Sequence, residues 1–91
     1  MEQFQLPTFH INGTSAQSIL DEYNEASRLI RKAHQALSQA TCNGRDFNSG
    51  PDYYKARDER QEMLNRLDDA LTYCDQWSEH AADRLYEEGK L

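Results

Sequence analysis

The 91-residue chain is acidic and mostly polar: its net charge is -6, 37% of its residues are hydrophobic, and its mean hydropathy is -0.98. A chain of this length forms one domain with a thin core, so a two-helix hairpin would be marginally stable as a monomer. We therefore expect a homo-oligomer. No apolar stretch approaches the length of a membrane span or follows a charged leader, which predicts a cytoplasmic protein with no membrane contact.

The charge is distributed unevenly along the chain. Residues 28–66 carry eight basic and five acidic side chains, whereas the remainder carries two basic and eleven acidic ones. In a hairpin folded about residues 43–50, the loop end would be basic and the open end acidic. Such asymmetry bears on binding partners, and the negative total disfavours direct binding to nucleic acid.

The N-terminal residues 1–13 are rich in large apolar side chains, which are Phe4, Leu6, Phe9 and Ile11. Free tails seldom carry this much apolar surface. We therefore predict an extended arm that packs against the rest of the domain.

The first predicted helix spans residues 15–41. The sequence from Thr14 to Gln17 fits a capping box, in which the Thr14 hydroxyl accepts a backbone N–H and Gln17 reaches back. Apolar residues then repeat at alternating steps of three and four, as in a coiled-coil seam. The seam consists of Ala16, Ile19, Tyr23, Ala26, Ile30, Ala33, Leu37 and Ala40. Asn43 and Gly44 provide a stop signal.

The second predicted helix spans residues 51–88 and follows a loop over residues 42–50. Pro51 favours the first turn of a helix. Two adjacent apolar seams share this helix, so its apolar stripe is wide enough to contact more than one neighbour. The first seam consists of residues 63, 67, 70, 74, 77 and 81, and the second of residues 64, 67, 71, 74, 78, 81 and 85.

Pairing the helices about the loop places residue 15 near residue 77 and leaves residues 78–91 as an overhang. We expect the arm and a second subunit to cover this overhang, with the second seam forming the contact between subunits. The predicted fold class is all-α: an antiparallel two-helix hairpin with an extended N-terminal arm, assembled into an oligomeric helical bundle.

Cys42 and Cys74 are expected to be reduced. In the hairpin Cys74 lies about 24 residues from the loop, or roughly 36 Å at 1.5 Å per residue. A disulfide requires Cα atoms within about 7 Å of each other. The chain has no CxxC and no Cys/His pair at ligand spacing, so we expect neither a bound zinc ion nor another cofactor.

The loop and the start of the second helix form the strongest candidate for a binding site. Helix N-termini attract anions, arginine binds phosphate through two parallel N–H groups, and aromatic rings stack on bases. The predicted site consists of Asn43, Arg45, Asp46, Phe47, Asn48, Tyr53, Tyr54 and Lys55. The same residues also suit a structured turn, in which the aromatic rings close the end of the hairpin and the charged groups are solvated.

Three other groups of residues are candidates for binding. A basic row, expected at one height of the hairpin, suits a phosphate-binding surface or a solvated face, and it consists of Arg28, Arg31, Lys32, Lys55, Arg57 and Arg60. His10 and His80 would meet if the arm covered the overhang, but two histidines alone make a weak metal site. His34 is expected beside the seam of the first helix. The acidic end suits mimicry of a nucleic-acid backbone or simple solubility.

The sequence contains no recognisable nucleophile–base arrangement, phosphate-binding loop or carboxylate pair in a pocket. A two-helix rod also offers little concave surface for catalysis. We therefore expect a binding protein rather than an enzyme.

Two motifs resemble those of a small protein family found in phages and prophages. Residues 10–15 are His-Ile-Asn-Gly-Thr-Ser and residues 43–47 are Asn-Gly-Arg-Asp-Phe, similar to the family's H-x-N-G-T-S and N-G-R-D-[YF] motifs. In size and predicted architecture, the chain also resembles the helical-hairpin phage sponge proteins, which oligomerise and sequester nucleotide signals of CBASS or Thoeris immunity. This second resemblance implies a phage-encoded inhibitor of bacterial immunity in the host cytoplasm.

Two classes of function follow from these observations. The first is sequestration of a nucleotide signalling molecule at the loop end, without catalysis. The second is an acidic protein-binding inhibitor, similar to some anti-CRISPR proteins and directed at a host immune protein, or a small structural adaptor. The loop chemistry favours the first class, and the acidic end favours the second.

Overall fold

The computed structural model describes residues 4–90, and over this range the chain is helical, with no β-strand. Helix α1 spans Ala16–Ser38, a short 3₁₀ turn spans Gly44–Asp46, and helix α2 spans Gly50–Glu87. The two helices pack against each other in a rod of 60 × 22 × 19 Å. The predicted helical hairpin is therefore confirmed. Neither helix of the described chain is long and apolar enough to cross a membrane.

Serine side chains cap both helices. The Ser15 hydroxyl accepts the backbone N–H of Ser18 at 3.1 Å, and the Ser49 hydroxyl accepts that of Asp52 at 3.2 Å. Both caps have the extended backbone that lets a short side chain reach the first turn. The cap of α1 is thus Ser15 rather than Thr14, and α1 begins one residue after it.

The register of the hairpin differs from the predicted one. Ala16 packs against Ala81 and Leu85, several residues beyond the position predicted for its partner. Farther along the helices, the Ser27 hydroxyl donates to Asp75 Oδ1 at 3.0 Å. The unpaired overhang at the open end is therefore shorter than expected, because the end of α2 reaches only a few residues past Leu85. The last residue of the predicted overhang, at position 91, lies outside the described part of the chain.

The loop causes this shift because it folds back along the first turns of α2. The Phe47 ring lies 6.0 Å from the Tyr53 ring, and the Arg60 guanidinium donates to the backbone carbonyl of Ala40. These contacts cover the first turns of α2 with loop residues, so α1 pairs only with the part of α2 that follows. The predicted register assumes a loop with no such fold-back, at the tip of a symmetric hairpin.

The core of the hairpin is thin. Among the described residues, the buried hydrophobic side chains are Ala16, Leu64, Cys74, Ala81 and Leu85, and no large side chain is completely buried. Ala33 on α1 is exposed, and so is Ala40 beyond the end of the helix, whereas Ser27 is buried and His34 half-buried. A straight helix turns once in 3.6 residues, so a strict seven-residue repeat drifts away from the contact line. The predicted seam is therefore buried or half-buried from Ala16 to Ile30 and is interrupted at Ala33.

Residues 4–10 have no regular secondary structure and contact the open half of α2. The Phe4 ring meets Tyr73 edge-on at 5.0 Å, and Phe9 stacks on His80 at 5.3 Å. His80 Nε2 lies 2.6 Å from the carbonyl oxygen of Pro7. Because a carbonyl can only accept a hydrogen bond, this nitrogen carries the proton. The first three residues of the predicted arm lie outside the described range.

Candidate functional site

Backbone hydrogen bonds and one side chain shape the loop. Asn43 Oδ1 accepts the backbone N–H of Arg45 at 3.2 Å, and the Asn43 carbonyl accepts that of Asp46 at 3.0 Å. The N–H of Phe47 then donates to the carbonyl of Gly44 at 3.2 Å. Asparagine favours such turns because its side chain imitates a backbone carbonyl. Asn43 therefore orients the loop, and its side-chain oxygen is already engaged.

Three aromatic residues form a continuous cluster beside the loop. The Tyr53 ring lies 6.0 Å from Phe47 and 5.5 Å from Tyr54. Tyr54 is 54% exposed, and the Arg57 guanidinium carbon lies 5.1 Å from its ring centre. A cation at this distance is attracted to the ring face. Phe47 and Tyr53 are half-buried, so Tyr54 offers most of the free aromatic surface.

The side chains of Arg45 and Lys55 are exposed and make no hydrogen bond or ion pair within residues 4–90. Most other cations are engaged: Arg28 with Glu25, Arg31 with Asp75, Arg57 with Asp58, Arg66 with Glu62, and Arg84 and Lys90 with Glu88. Lys32 on α1 is likewise without such a bond in this range. The exposed side chains of Asp46 and Asn48 also lack partners among the described residues. The loop end thus combines two free cations with an exposed aromatic ring.

The predicted basic row does not lie at one height of the rod. Arg31 Nη2 is 3.3 Å from Asp75, whereas Arg60 reaches the carbonyl of Ala40 in the loop. Positions 60 and 75 of α2 are about 22 Å apart at 1.5 Å per residue. The shifted register separates the basic residues of α1 from those at the start of α2, so they do not form one phosphate-binding surface.

The same shift changes where the charge lies. The loop end, residues 39–60, carries four basic and four acidic side chains and is neutral. The described residues of the open end, 4–25 and 75–90, carry two basic and eight acidic ones. The open end is therefore acidic, whereas the loop end is neutral rather than basic.

The histidines do not form a cluster. The His10 ring lies against Gly13, where an added Cβ would come within 3.1 Å of Nε2, and His80 contacts Phe9 instead of His10. His34 Nε2 lies 3.2 Å from an Asp68 carboxylate oxygen and so helps to hold α1 on α2. No group of three or more His, Cys, Asp or Glu residues within the described range is placed to hold a metal ion.

Two shallow grooves lie at the open end, where sequence reasoning did not anticipate them. The larger has a volume of about 490 Å³ between the start of α1 and the end of α2, and the smaller about 330 Å³ beside Pro7 and His80. Arg84 lines both grooves and bonds Glu88 at 2.9 Å. This bond holds the pKa of the Glu88 carboxyl below its usual range. The N-terminal residues create the grooves by crossing the end of the hairpin, a non-local arrangement without a sequence signature.

An aromatic cluster joins the helices in the open half. The Tyr23 ring stacks on Trp77 at 4.6 Å, and Tyr73 lies within 6.1 Å of both rings. Burial, aided by a hydrogen bond with Tyr73, raises the pKa of Tyr23 to about 12. The Trp77 indole N–H is buried without a hydrogen-bond partner among the described residues. Burial likewise raises the pKa of the neighbouring Cys74 thiol. These contacts stabilise the hairpin and leave no ring face as free as that of Tyr54.

Comparison of the chain with protein-family models, with curated proteins and with solved structures finds no match. We therefore infer function from the chemistry of the loop end and of the acidic end.

Proposed function

We propose that the protein binds and sequesters a phosphorylated nucleotide signalling molecule at its loop end, without catalysing a reaction. The observation that carries this proposal is that the loop and the first turns of α2 contain two unpartnered cations, Arg45 and Lys55, together with the exposed ring of Tyr54. Cations bind phosphate groups, and an exposed aromatic face stacks on a base. Both kinds of group are present within residues 45–55 at the loop end.

Each loop residue has a role in this proposal. Arg45 holds a phosphate by two parallel N–H bonds, and Lys55 neutralises a further phosphate charge. Tyr54 stacks on the base, next to the Tyr53 ring, which in turn contacts Phe47. The free polar groups of Asp46 and Asn48 bind base edges or ribose hydroxyls. Asn43 positions the loop through its bond to the Arg45 amide.

The wider setting follows from the resemblance to phage proteins. In this proposal the protein is a phage-encoded inhibitor that acts in the host cytoplasm, as a homo-oligomer with a packed N-terminal arm. The ring contacts of Phe4 and Phe9 with α2 support the packed arm. Sequestration needs no catalytic group, only a Kd for the ligand that is lower than the concentration at which the ligand signals.

A thermal-shift screen against cyclic oligonucleotides and cyclic ADP-ribose isomers tests the proposal. Ligand at 100 times its Kd stabilises a folded protein by about 2.7 kcal/mol, which raises the melting temperature measurably. Arg45→Ala removes a charged hydrogen-bond donor, worth about 1.5–3 kcal/mol, or roughly 10- to 150-fold in Kd. Lys32→Ala is the matched control, because it removes one free cation from α1, away from the loop. A blank screen, or equal losses in the two variants, contradicts the loop site.

The acidic open end supports a second candidate function, an acidic protein-binding inhibitor or adaptor. Its carboxylates at Glu79 and Asp83 are exposed and form no ion pair within the described range. Charge reversal at these two residues separates this function from the first. Asp68 and Asp75 are poorer choices, because both hold α1 against α2. The protein-binding function would be favoured if the Glu79 and Asp83 variants lost inhibition of the immune response while the Arg45→Ala variant retained it.

A further inference from the structure

A stripe of apolar side chains runs along one side of the hairpin. It consists of Ile19, Ala26 and Ala33 on α1 and of Met63, Ala70 and Trp77 on α2, each set spaced by seven residues. Residues at this spacing share one side of a helix. The stripe therefore continues from the open half of the rod to its middle.

Only the open-end half of this stripe is covered. Phe9 packs near Ile19, and Phe4 contacts Tyr73, beside Trp77. Toward the loop the stripe remains exposed: Met63 is 40% exposed, and Leu29, one helical turn from both Ala26 and Ala33, is 50% exposed. We name this half the open face; it consists of the exposed Leu29, Ala33 and Met63 and the half-buried Ala26, Leu67 and Ala70.

The second seam of α2 is not free to form this contact. Leu64, Ser78 and Leu85 of that seam are buried in the hairpin, and Leu71 shares their heptad position. The contact between subunits predicted at this seam therefore belongs instead to the pairing of α2 with α1. On α2, Met63 and Ala70 of the neighbouring seam are the apolar side chains still available for contact with a second copy.

We propose that the open face is the interface of an antiparallel homodimer, in which the loop end of each copy lies beside the open end of the other. The position of the face supports a two-fold arrangement. Met63 and Ala70 lie on either side of the midpoint of α2, which spans Gly50–Glu87. A two-fold axis through this point places the same patch on both copies, as a closed dimer requires, and aligns the rods over their full length.

Charge selects the antiparallel direction of the dimer. The described open end has eight acidic and two basic side chains, whereas the loop end is neutral. A parallel dimer would bring two strongly acidic ends together on rods only 22 Å wide. An antiparallel dimer keeps them most of the 60 Å rod length apart, well beyond the screening length of about 10 Å at 0.1 M salt.

The hairpin exposes more surface than a compact protein of its mass. The accessible surface is 6848 Å², whereas a compact protein of this mass exposes about 5,500 Å². The radius of gyration is 18.6 Å, against about 12 Å for a compact domain of this length. The excess of about 1,300 Å² is larger than the roughly 800 Å² that each partner buries in a standard interface. The rod therefore exposes enough surface for a standard interface with one second copy.

Sedimentation velocity of the full chain tests the interface. We expect a dimer at tens of micromolar, and Met63→Glu should weaken association at least about tenfold, because it buries an unpaired charge. Tyr86→Glu is the matched control: Tyr86 is 74% exposed and lies outside the open face. Leu29→Glu repeats the test from α1, and circular dichroism verifies that each variant folds. A monomeric wild type, or equal effects of Met63→Glu and Tyr86→Glu, overturns the proposal.

A distance between spin labels tests the direction of the dimer. The label is attached at Asn48→Cys in a Cys42→Ser background, since Cys74 is buried. From position 48 to the dimer axis near position 67 is about 28 Å, so the antiparallel dimer predicts about 55 Å between labels. A distance near the width of the rod indicates a parallel dimer and overturns the proposal. Neither measurement involves a ligand, so failure here leaves the loop-site proposal standing.

Discussion

Leu85→Ala should destabilise the protein by about 2.5–3.5 kcal/mol. Leu85 is 2% exposed and packs with Ala16 and Ala81, where Phe9 and Ile19 also meet the core. The substitution removes three buried carbon atoms, worth about 0.8 kcal/mol each, and leaves a cavity. Because Leu85 also lines the larger groove, neighbouring side chains can relax into the space, which keeps the cost near the lower limit for buried leucines.

Urea unfolding followed by circular dichroism measures this effect at a fixed protein concentration, since a dimer makes stability depend on concentration. The matched control is Tyr86→Ala at the next residue, where the side chain is 74% exposed; its expected cost is below about 0.5 kcal/mol. Equal costs for the two variants would refute the register, because Leu85 would then lie outside the core.

Three further predictions concern the cap, the tyrosine and the cysteines. Ser49→Ala should cost about 1 kcal/mol in urea unfolding because it removes the cap of α2, whereas Ser49→Asp should retain stability. The raised pKa of Tyr23 means that its contribution to stability is complete below pH 10 and is lost as pH rises toward 12; Tyr23→Phe should therefore lose less stability than the wild type over that interval. Ellman's reagent should modify the half-exposed Cys42 before the buried Cys74, whose thiol pKa is raised by burial; similar rates would mean that α2 is not packed at that position.

Local signals accounted for the two helices. Their apolar periodicity, the capping residues before α1 and the proline in the first turn of α2 all act over a few residues. The structure places the helices where these signals lie, with the α1 cap moved from Thr14 to Ser15. Such features can be read from a sequence because the atoms that decide them are close along the chain.

The register could not be predicted in the same way, because it depends on long-range contacts in the loop. The bond from Arg60 to Ala40 and the packing of Phe47 on Tyr53 set how far α1 slides along α2. That displacement separates the basic residues and neutralises the loop end. The burial of Ser27 also depends on a long-range contact, because its hydroxyl donates a hydrogen bond to Asp75 on the other helix.

The candidate site was only partly readable from sequence. Residue types identified a phosphate- and base-binding chemistry in the loop, but not which side chains remain free. The structure assigns Asn43 to turn formation and leaves Arg45 and Lys55 unpartnered within residues 4–90. Whether a side chain is engaged depends on neighbours that folding brings together.

Amide chemical shifts in ¹⁵N-labelled protein, titrated with the same panel of cyclic oligonucleotides and cyclic ADP-ribose isomers, test the central claim most directly. We predict that at least one ligand shifts the amides of residues 43–55 and leaves those of the open end unchanged, and that Arg45→Ala abolishes these shifts while Lys32→Ala does not. Absence of shifts with every member of the panel, or shifts confined to the open-end grooves, would contradict a nucleotide site at the loop.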